Sequence, residues 1–424
     1  MRPPWVKRPV PARPPGFSPE WAGGLKGTRR AMPAGARGQP APHPASATVG
    51  QEHDTWRDWF RALTGVKPAV QLNPAQVRPS KWTCRHESAY ASAAFERLKD
   101  TIDLGNGNTQ PIVVRRVDDG YEVVTDQGSW RCRCVVLAGG ACNLPTIPDV
   151  AAAVPAGVDH VNPLDYRRPD ELADGGVLVI GAAATGLQLA EEIHASGRPV
   201  TLSVGEHVRM PRTYRGADIQ HWMESIGRLD ERYDEVDEIV KARKVASPQL
   251  VGTPERRTLD LDSVTATGVQ LRGRLGAIRD GVAMFSGGLR NHCALADQKL
   301  GRLLDDIDLW ITEHGLEGEV GPAERYEPTP VTRGAPLTLD LNSGEITTIV
   351  WATGFHPDLS WVELPVFDSA GHLRHDGGVV LDAPGAYFLG ASFLRRRKSS
   401  FLHGSVDDTR DLADHLVGHL DGPG

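Results

Sequence analysis

VLVIGAAATGLQLAEEI, Val177 to Ile193, is the stretch on which the reading of this chain turns. An apolar, β-branched run closes at Gly181. A turn of small residues, GAAATG, leads to Gly186, and a helix-forming stretch follows. Strand, tight turn and helix start, in that order, leave free N–H groups and the positive end of a helix dipole where a dinucleotide pyrophosphate sits. Gly181 permits the sharp turn, and Gly186 lets the helix lie close to the strand. Ala182, Ala183, Ala184 and Thr185 complete the turn. Ala183 stands where the G-x-G-x-x-G fingerprint has its second glycine, so a methyl group narrows the approach to the backbone without closing it.

The next strand is PVTLSV, Pro199 to Val204. An NAD site places Asp or Glu near the end of that strand, about 20 residues past the fingerprint, on the ribose diol. Val204 and Gly205 occupy the place here. Glu206 follows, then Arg209, Arg212 and Arg215. A missing carboxylate with arginines nearby predicts NADPH, with Arg209 and Arg212 on the 2′-phosphate. The alternative is that these arginines line a solvated loop.

The chain has 424 residues, more than one ordinary core, so two or more domains are expected. A formal net charge of −7 gives no reason to invoke nucleic acid. No apolar run approaches the roughly 18 residues of a membrane span, and MRPPWVKRPVPARPP at the start has no apolar centre of a secretory signal. The expectation is a cytoplasmic protein of unassigned oligomeric state, with no membrane or nucleic-acid partner. The five cysteines form no C-x-x-C pair. Cys132, Cys134 and Cys142 flank VVLAGG and read as buried thiols, so no metal is predicted.

Residues 1–50 are rich in Pro, Ala, Gly and Arg and read as a disordered basic tail. HDTWRDWFRALTG, from His53, has the spacing of a short amphipathic helix. IVVRRVDDGYEVVTD reads as a hairpin turning at Asp118, Asp119 and Gly120, and runs on into WRCRCVVLAGG, which ends at Ala138, Gly139 and Gly140. LTLDLNSGEITTIV repeats the pattern, turning at Asn342, Ser343 and Gly344 and running into a strand that ends at Ala352, Thr353 and Gly354. Between them lie helical stretches, DIQHWMESIGRL and DERYDEVDEIVKARK, a hairpin around Asp280, and a helix with Leu295, Leu300, Leu303, Leu304, Ile307, Trp310 and Ile311 at core spacing. APGAYFLGA then gives a strand and DDTRDLADHLVGHL a helix.

With these pieces in place the chain resembles the flavin-containing monooxygenase-like group of two-dinucleotide-binding-domain flavoproteins. The matching segments are VVLAGGACNLPTIP (Val135 to Pro148), VLVIGAAATGLQLAEE and WATGFHPD (Trp351 to Asp358). The resemblance implies an α/β fold with two Rossmann-like dinucleotide-binding domains, the first discontinuous. It sets a flavin-type domain at 51–165 and 345–424 and an NADPH domain at 166–344. It implies that Gly139, Gly140, Thr353, Gly354 and Asp358 lie near FAD or the interdomain seam. It further implies transfer of one oxygen from O₂ to a small organic substrate, at N, at S or beside a carbonyl. No acid–base or nucleophile constellation stands out, so no catalytic residue is nominated, and His356 stays unassigned. The group also carries an N-terminal strand and G-x-G-x-x-G for FAD, which this sequence lacks. The first domain is therefore expected to be incomplete and to hold FAD weakly. A chain with a working NADPH half and no working FAD site is the alternative.

Overall fold

Gly176–Ile180 (β2) is buried at all of its five positions. A strand that alternates between two covered faces needs apolar residues throughout, and GVLVI supplies them. It lies near the middle of a five-stranded parallel sheet. The order is Gln270–Arg272 (β4), Val200–Ser203 (β3), β2, Ile346–Trp351 (β5) and Asp159–Val161 (β1). Val177 and Val179 face one side and pack with Leu187, Ala190 and Ile193 of the helix Ala184–Ala195 (α1). Leu178 and Ile180 face the other and meet Ile278, Phe285 and Trp351. The cover there is an antiparallel sheet of Leu275–Arg279, Val282–Phe285 and Thr338–Asp340. The structure, a computed structural model, describes residues 113–421 apart from 126, 127, 254, 333, 365, 370 and 372. The tail at 1–50 and the helix expected from His53 lie outside the described residues.

The helix Leu289–Glu313 (α2) buries Leu300, Leu304, Ile307 and Ile311 against Met210, Tyr214, Ile219 and Trp222. Leu303 and Trp310 are partly buried, but Leu295 is 44% exposed and does not belong to the expected stripe. DERYDEVDEIVKARK is not one helix. It forms a single 3-10 turn, Tyr233–Glu235, and a short helix, Ile239–Arg243. The Tyr233 N–H donates to the Arg395 carbonyl and so leaves the helical ladder.

A second core gathers Val114, Tyr121, Leu137, Val380, Phe388 and Leu394. The hairpin predicted at Asp118–Gly120 is present, as Val113–Val117 against Gly120–Thr125, with Gly128–Cys132 beside it. A neighbouring sheet has the order His375–Asp376, Val379–Val380, Ala386–Phe388 and Val135–Leu137, the last two parallel. The helix Ser405–Asp421 (α3) follows. Its fully buried Asp408 accepts from Arg396.

The second expected hairpin does not form. The Asp340 carboxylate accepts from the Asn342 N–H and sets a 3-10 turn at Leu341–Ser343, which separates the two strands instead of pairing them. Thr338–Asp340 joins the antiparallel sheet. β5, buried at five of six positions, enters the parallel sheet between β2 and β1. The strand ending at Ala352 therefore shares a sheet with the Gly181 strand, and the strand ending at Ala138 does not. The chain returns to the second core after Trp351, not at 345.

His375 offers a test of that second core. Burial, and then the charge of Arg243, push its pKa down to about 4. Its Nδ1 accepts from the Gly378 N–H, which requires a neutral ring. The unfolded chain binds this proton near the ordinary histidine pKa and the folded chain does not. The contribution is thus fully present above about pH 6.5 and is lost as pH falls toward 4. Denaturant unfolding of the wild type should lose about 2–3 kcal/mol over that window from this group. His375→Gln should flatten the slope, and an unchanged slope would contradict the assignment.

Candidate functional site

The turn predicted for a pyrophosphate is built by steric exclusion. Gly181 has φ +110°, and a Cβ there would stand 2.3 Å from the carbonyl oxygen of Ala352. A Cβ on Gly186 would stand 1.8 Å from the Gly181 oxygen and 3.4 Å from the Ala352 Cβ. Neither glycine can carry a side chain while β2, α1 and the end of β5 keep their spacing. Ala183 is the N-cap of α1, in extended conformation, and supplies no side-chain cap. The first-turn N–H groups thus have no side-chain acceptor from the N-cap. Buried Gln249 donates from Nε2 to the Ala182 oxygen at 2.8 Å and pins the turn from outside. Gln249 lies 67 residues away in sequence, and no local pattern marks it. A helix start without a side-chain cap, beside two obligatory glycines, fits a pyrophosphate.

The chain leaves this turn through Ala352, Thr353 and Gly354. Phe355–His356 then pairs antiparallel with Leu144–Pro145. The Thr353 hydroxyl donates to the Thr146 oxygen at 2.5 Å, and the Thr146 N–H donates to the Gly354 oxygen at 2.9 Å. The Asp358 N–H donates to Asn143 Oδ1 at 3.1 Å, and Asn143 Nδ2 donates to the Gly139 oxygen at 3.0 Å. Gly139, Thr353, Gly354 and Asp358 therefore lie along one seam of two bonded connectors. Ala352 ties that seam to Gly181 and Gly186. His356 faces Thr146 Oγ1 at 3.3 Å, an interaction that serves the seam.

The strands Val135–Leu137 and Ala386–Phe388 end side by side, and the Leu389 N–H donates to the Leu137 oxygen. Gly140 and Gly390 follow them with φ +82° and +83°, and a Cβ on either would meet nothing within 4 Å. Small residues facing open space at paired strand ends fit the close approach of a flat ring system such as a flavin. A second strand–turn–helix unit for its pyrophosphate is not among the described residues.

Arg209, Arg212 and Arg215 depart from expectation. Arg209 is 5% exposed and holds Asp297 at 2.7 Å, Asp262 at 2.6 Å and Asp260 at 3.2 Å. Its Nη1 also donates to the Glu327 oxygen. Burial works against its charge, but the Asp297 hydrogen bond and the neighbouring carboxylates raise its pKa overall. Arg212 pairs with Asp218 at 2.6 Å, and Arg215 with Asp308 and Glu317. These guanidiniums tie the segment after β3 to its neighbours and are engaged by carboxylates. Neither a phosphate site nor a solvated loop describes Arg209. Its acidic partners lie 51 to 88 residues away, beyond the reach of local reading.

Cys132 and Cys134 are half-buried, and burial pushes both thiols up. Cys142 is exposed, not buried as expected, and Cys293 is buried with its pKa raised to about 11. Among the described residues no group of His, Cys, Asp and Glu could hold a metal ion, and no helix is long and apolar enough to cross a membrane.

Comparison with known proteins adds to the geometry. The family model described as pyridine nucleotide-disulphide oxidoreductase matches residues 90–274. An uncharacterized CzcO-like oxidoreductase of Geobacillus kaustophilus is 26% identical over 392 residues, covering 88% of this chain and 91% of the relative. The uncharacterized oxidoreductase CzcO of Bacillus velezensis is 22% identical over 378 residues, covering 87% and 89%. Among solved structures, a flavin-containing monooxygenase from Stenotrophomonas maltophilia aligns with a TM-score of 0.43 at 16% identity, over 77% of this chain and 74% of that one.

Two substitutions probe the site. Gly186→Ala forces α1 away from β2. It should cost about 1–3 kcal/mol of stability by overpacking and should abolish pyridine-nucleotide binding by calorimetry. Arg209→Met leaves three carboxylates without their cation and should cost about 3–5 kcal/mol in chemical denaturation. Unchanged stability of Arg209→Met would mean that the cluster is not buried as described.

Proposed function

We infer that this chain is a two-dinucleotide-binding-domain FAD/NAD(P)-dependent oxidoreductase, a reading supported by its similarity to that family and to an uncharacterized oxidoreductase, and that it uses NADPH and O₂ to oxygenate a small organic substrate in the manner of flavin-containing monooxygenases. The observation that carries the reading is the junction at Ala352. The fingerprint Gly181–Gly186 packs on the end of β5, and the same three residues, Ala352 to Gly354, lead into the seam with Gly139. A nicotinamide nucleotide on the first and a flavin at the strand ends beyond the second would lie on either side of one short connection.

Each part has a role in that scheme. The N–H groups at the start of α1 hold the pyrophosphate of the nicotinamide nucleotide. Gly181 and Gly186 admit it close to the backbone. Val204 and Gly205 offer no carboxylate to a ribose diol, which supports NADPH over NADH. Gly140 and Gly390 leave room for the flavin ring system, with Gly139 beside them on the seam. When bound, the flavin supplies the chemistry, accepting hydride from the nicotinamide and passing electrons to O₂. The residues of this chain position the two cofactors, and none is assigned as an acid or base. The sequence has no C-x-x-C redox pair, which argues for oxygen chemistry over disulfide reduction.

The test is NADPH oxidation by the full chain supplied with FAD, with a simple thioether or tertiary amine as acceptor. Oxidation should require O₂, and label from ¹⁸O₂ should appear in a mono-oxygenated product. Oxidation that persists without O₂ while a disulfide is consumed would overturn the oxygenase reading.

A further inference from the structure

We propose that Arg274, seconded by Arg290, selects NADP(H) over NAD(H) by meeting the 2′-phosphate, whereas Arg209 and Arg212 are engaged by carboxylates of this chain. This rests on the reading of Gly181–Gly186 as a pyridine-nucleotide site. In such a sheet the adenosine ribose lies at the carboxyl end of the strand next to the fingerprint strand, which here is β3. The position after Val204 is Gly205. A Cβ built there would touch the Arg274 side chain, at 3.6 Å from both Cγ and Cδ. The stem of Arg274 therefore lies along the place where a ribose-binding carboxylate would stand. The last residue of β3 is bonded to the same segment: Ser203 Oγ donates to the Gly273 oxygen at 3.1 Å and accepts from the Leu275 N–H at 3.0 Å.

A cavity of about 550 Å³ opens against Gly273. Arg290 and Ser286 give it a polar wall, and Leu289, Val331 and Leu337 an apolar one. The Ser286 N–H donates to the Arg274 oxygen at 2.9 Å, so the short link between strands that carries Arg274 and the loop that leads to Arg290 are joined. An apolar slot beside cationic groups suits a purine ring on a phosphorylated ribose.

The charges here are unspent. Arg209, Arg212 and Arg215 all have carboxylate partners. Among the described residues Arg272, Arg274 and Arg290 have none within salt-bridge distance. Arg272, two residues before Arg274, has a buried Nε without a partner and only long contacts, to the Leu271 oxygen at 3.3 Å and to Gln270 Oε1 at 3.4 Å. Burial of Arg272 lowers its pKa with no acid to offset it. A cationic edge held without counter-charge at the ribose end of the sheet gains from a dianionic phosphate and gains nothing from a ribose diol. The exposed Glu206 beside it is the group that would favour the diol instead.

The experiment is isothermal calorimetry of the full chain with NADP⁺, NAD⁺ and adenosine 2′,5′-bisphosphate, a readout that needs no flavin. The wild type should bind NADP⁺ more tightly than NAD⁺. Arg274→Ala should weaken NADP⁺ and the bisphosphate by about 10- to 100-fold, and Arg290→Ala by less, with NAD⁺ unchanged. Arg274→Lys should recover part of the loss. Selective loss with that rescue supports the inference. Equal loss for NADP⁺ and NAD⁺, or no loss, overturns the role of Arg274 while leaving the fingerprint site standing. Tighter NAD⁺ than NADP⁺ in the wild type assigns the ribose to Glu206 and also overturns it. A wild type that binds neither nucleotide removes the site reading itself.

Discussion

The contact between Gly181, Gly186 and Ala352 is the constraint on which the rest depends. Three backbone segments meet there with no room for a side chain at either glycine. Because α1 sits that close to β2, its first N–H groups come to the carboxyl edge of the sheet and not above it. Because β5 ends against the same turn, the chain that leaves the sheet starts its return beside the start of α1. Close packing at one point thus fixes both a binding surface and the route between the two cores.

Electrostatics divides the molecule's cations into two kinds. Lys398 sits 6% exposed among Glu224, Asp230 and Asp407, and Arg209 among three aspartates. These bring together segments distant in sequence, and their charge is consumed in doing so. Buried charges of this kind persist only with partners. Arg272, Arg274 and Arg290, at the ends of β4 and α2, have no such partners among the described residues, and their charge is not consumed in that way.

Much of this was legible in the sequence, and the limits have physical causes. The strand–turn–helix at Val177–Ile193 could be read because its determinants are adjacent: an apolar strand, two glycines and a helix former. The hairpin at Gly120 could be read for the same reason. The fate of Leu337 to Trp351 could not be foreseen from turn residues alone, since Asn342–Gly344 suits both a hairpin and a strand exchange. The signal that separates them is composition. ITTIVW is too apolar for one covered face, and a strand of that kind belongs inside a parallel sheet. The arginines failed for a different reason. Their role depends on Asp260, Asp262 and Asp297, which only folding brings near, whereas Arg274 lies far from the fingerprint in sequence and beside Gly205 in space.

The two connectors at the seam carry one more consequence. Leu144–Pro145 and Phe355–His356 are bonded to each other as they cross, and alongside them Thr353 donates to the Thr146 oxygen and the Thr146 N–H donates to Gly354. Each is therefore the ruler for the other's length. A single inserted residue in one would shift the pairing by a step and turn its side chains to the opposite face, and it would pull Asn143 away from Asp358. Loops elsewhere on the surface can lengthen or shorten over evolutionary time with little penalty. Here a change in one crossing is tolerable only with a matching change in the other, so these two stretches, some 210 residues apart, are bound to drift in step.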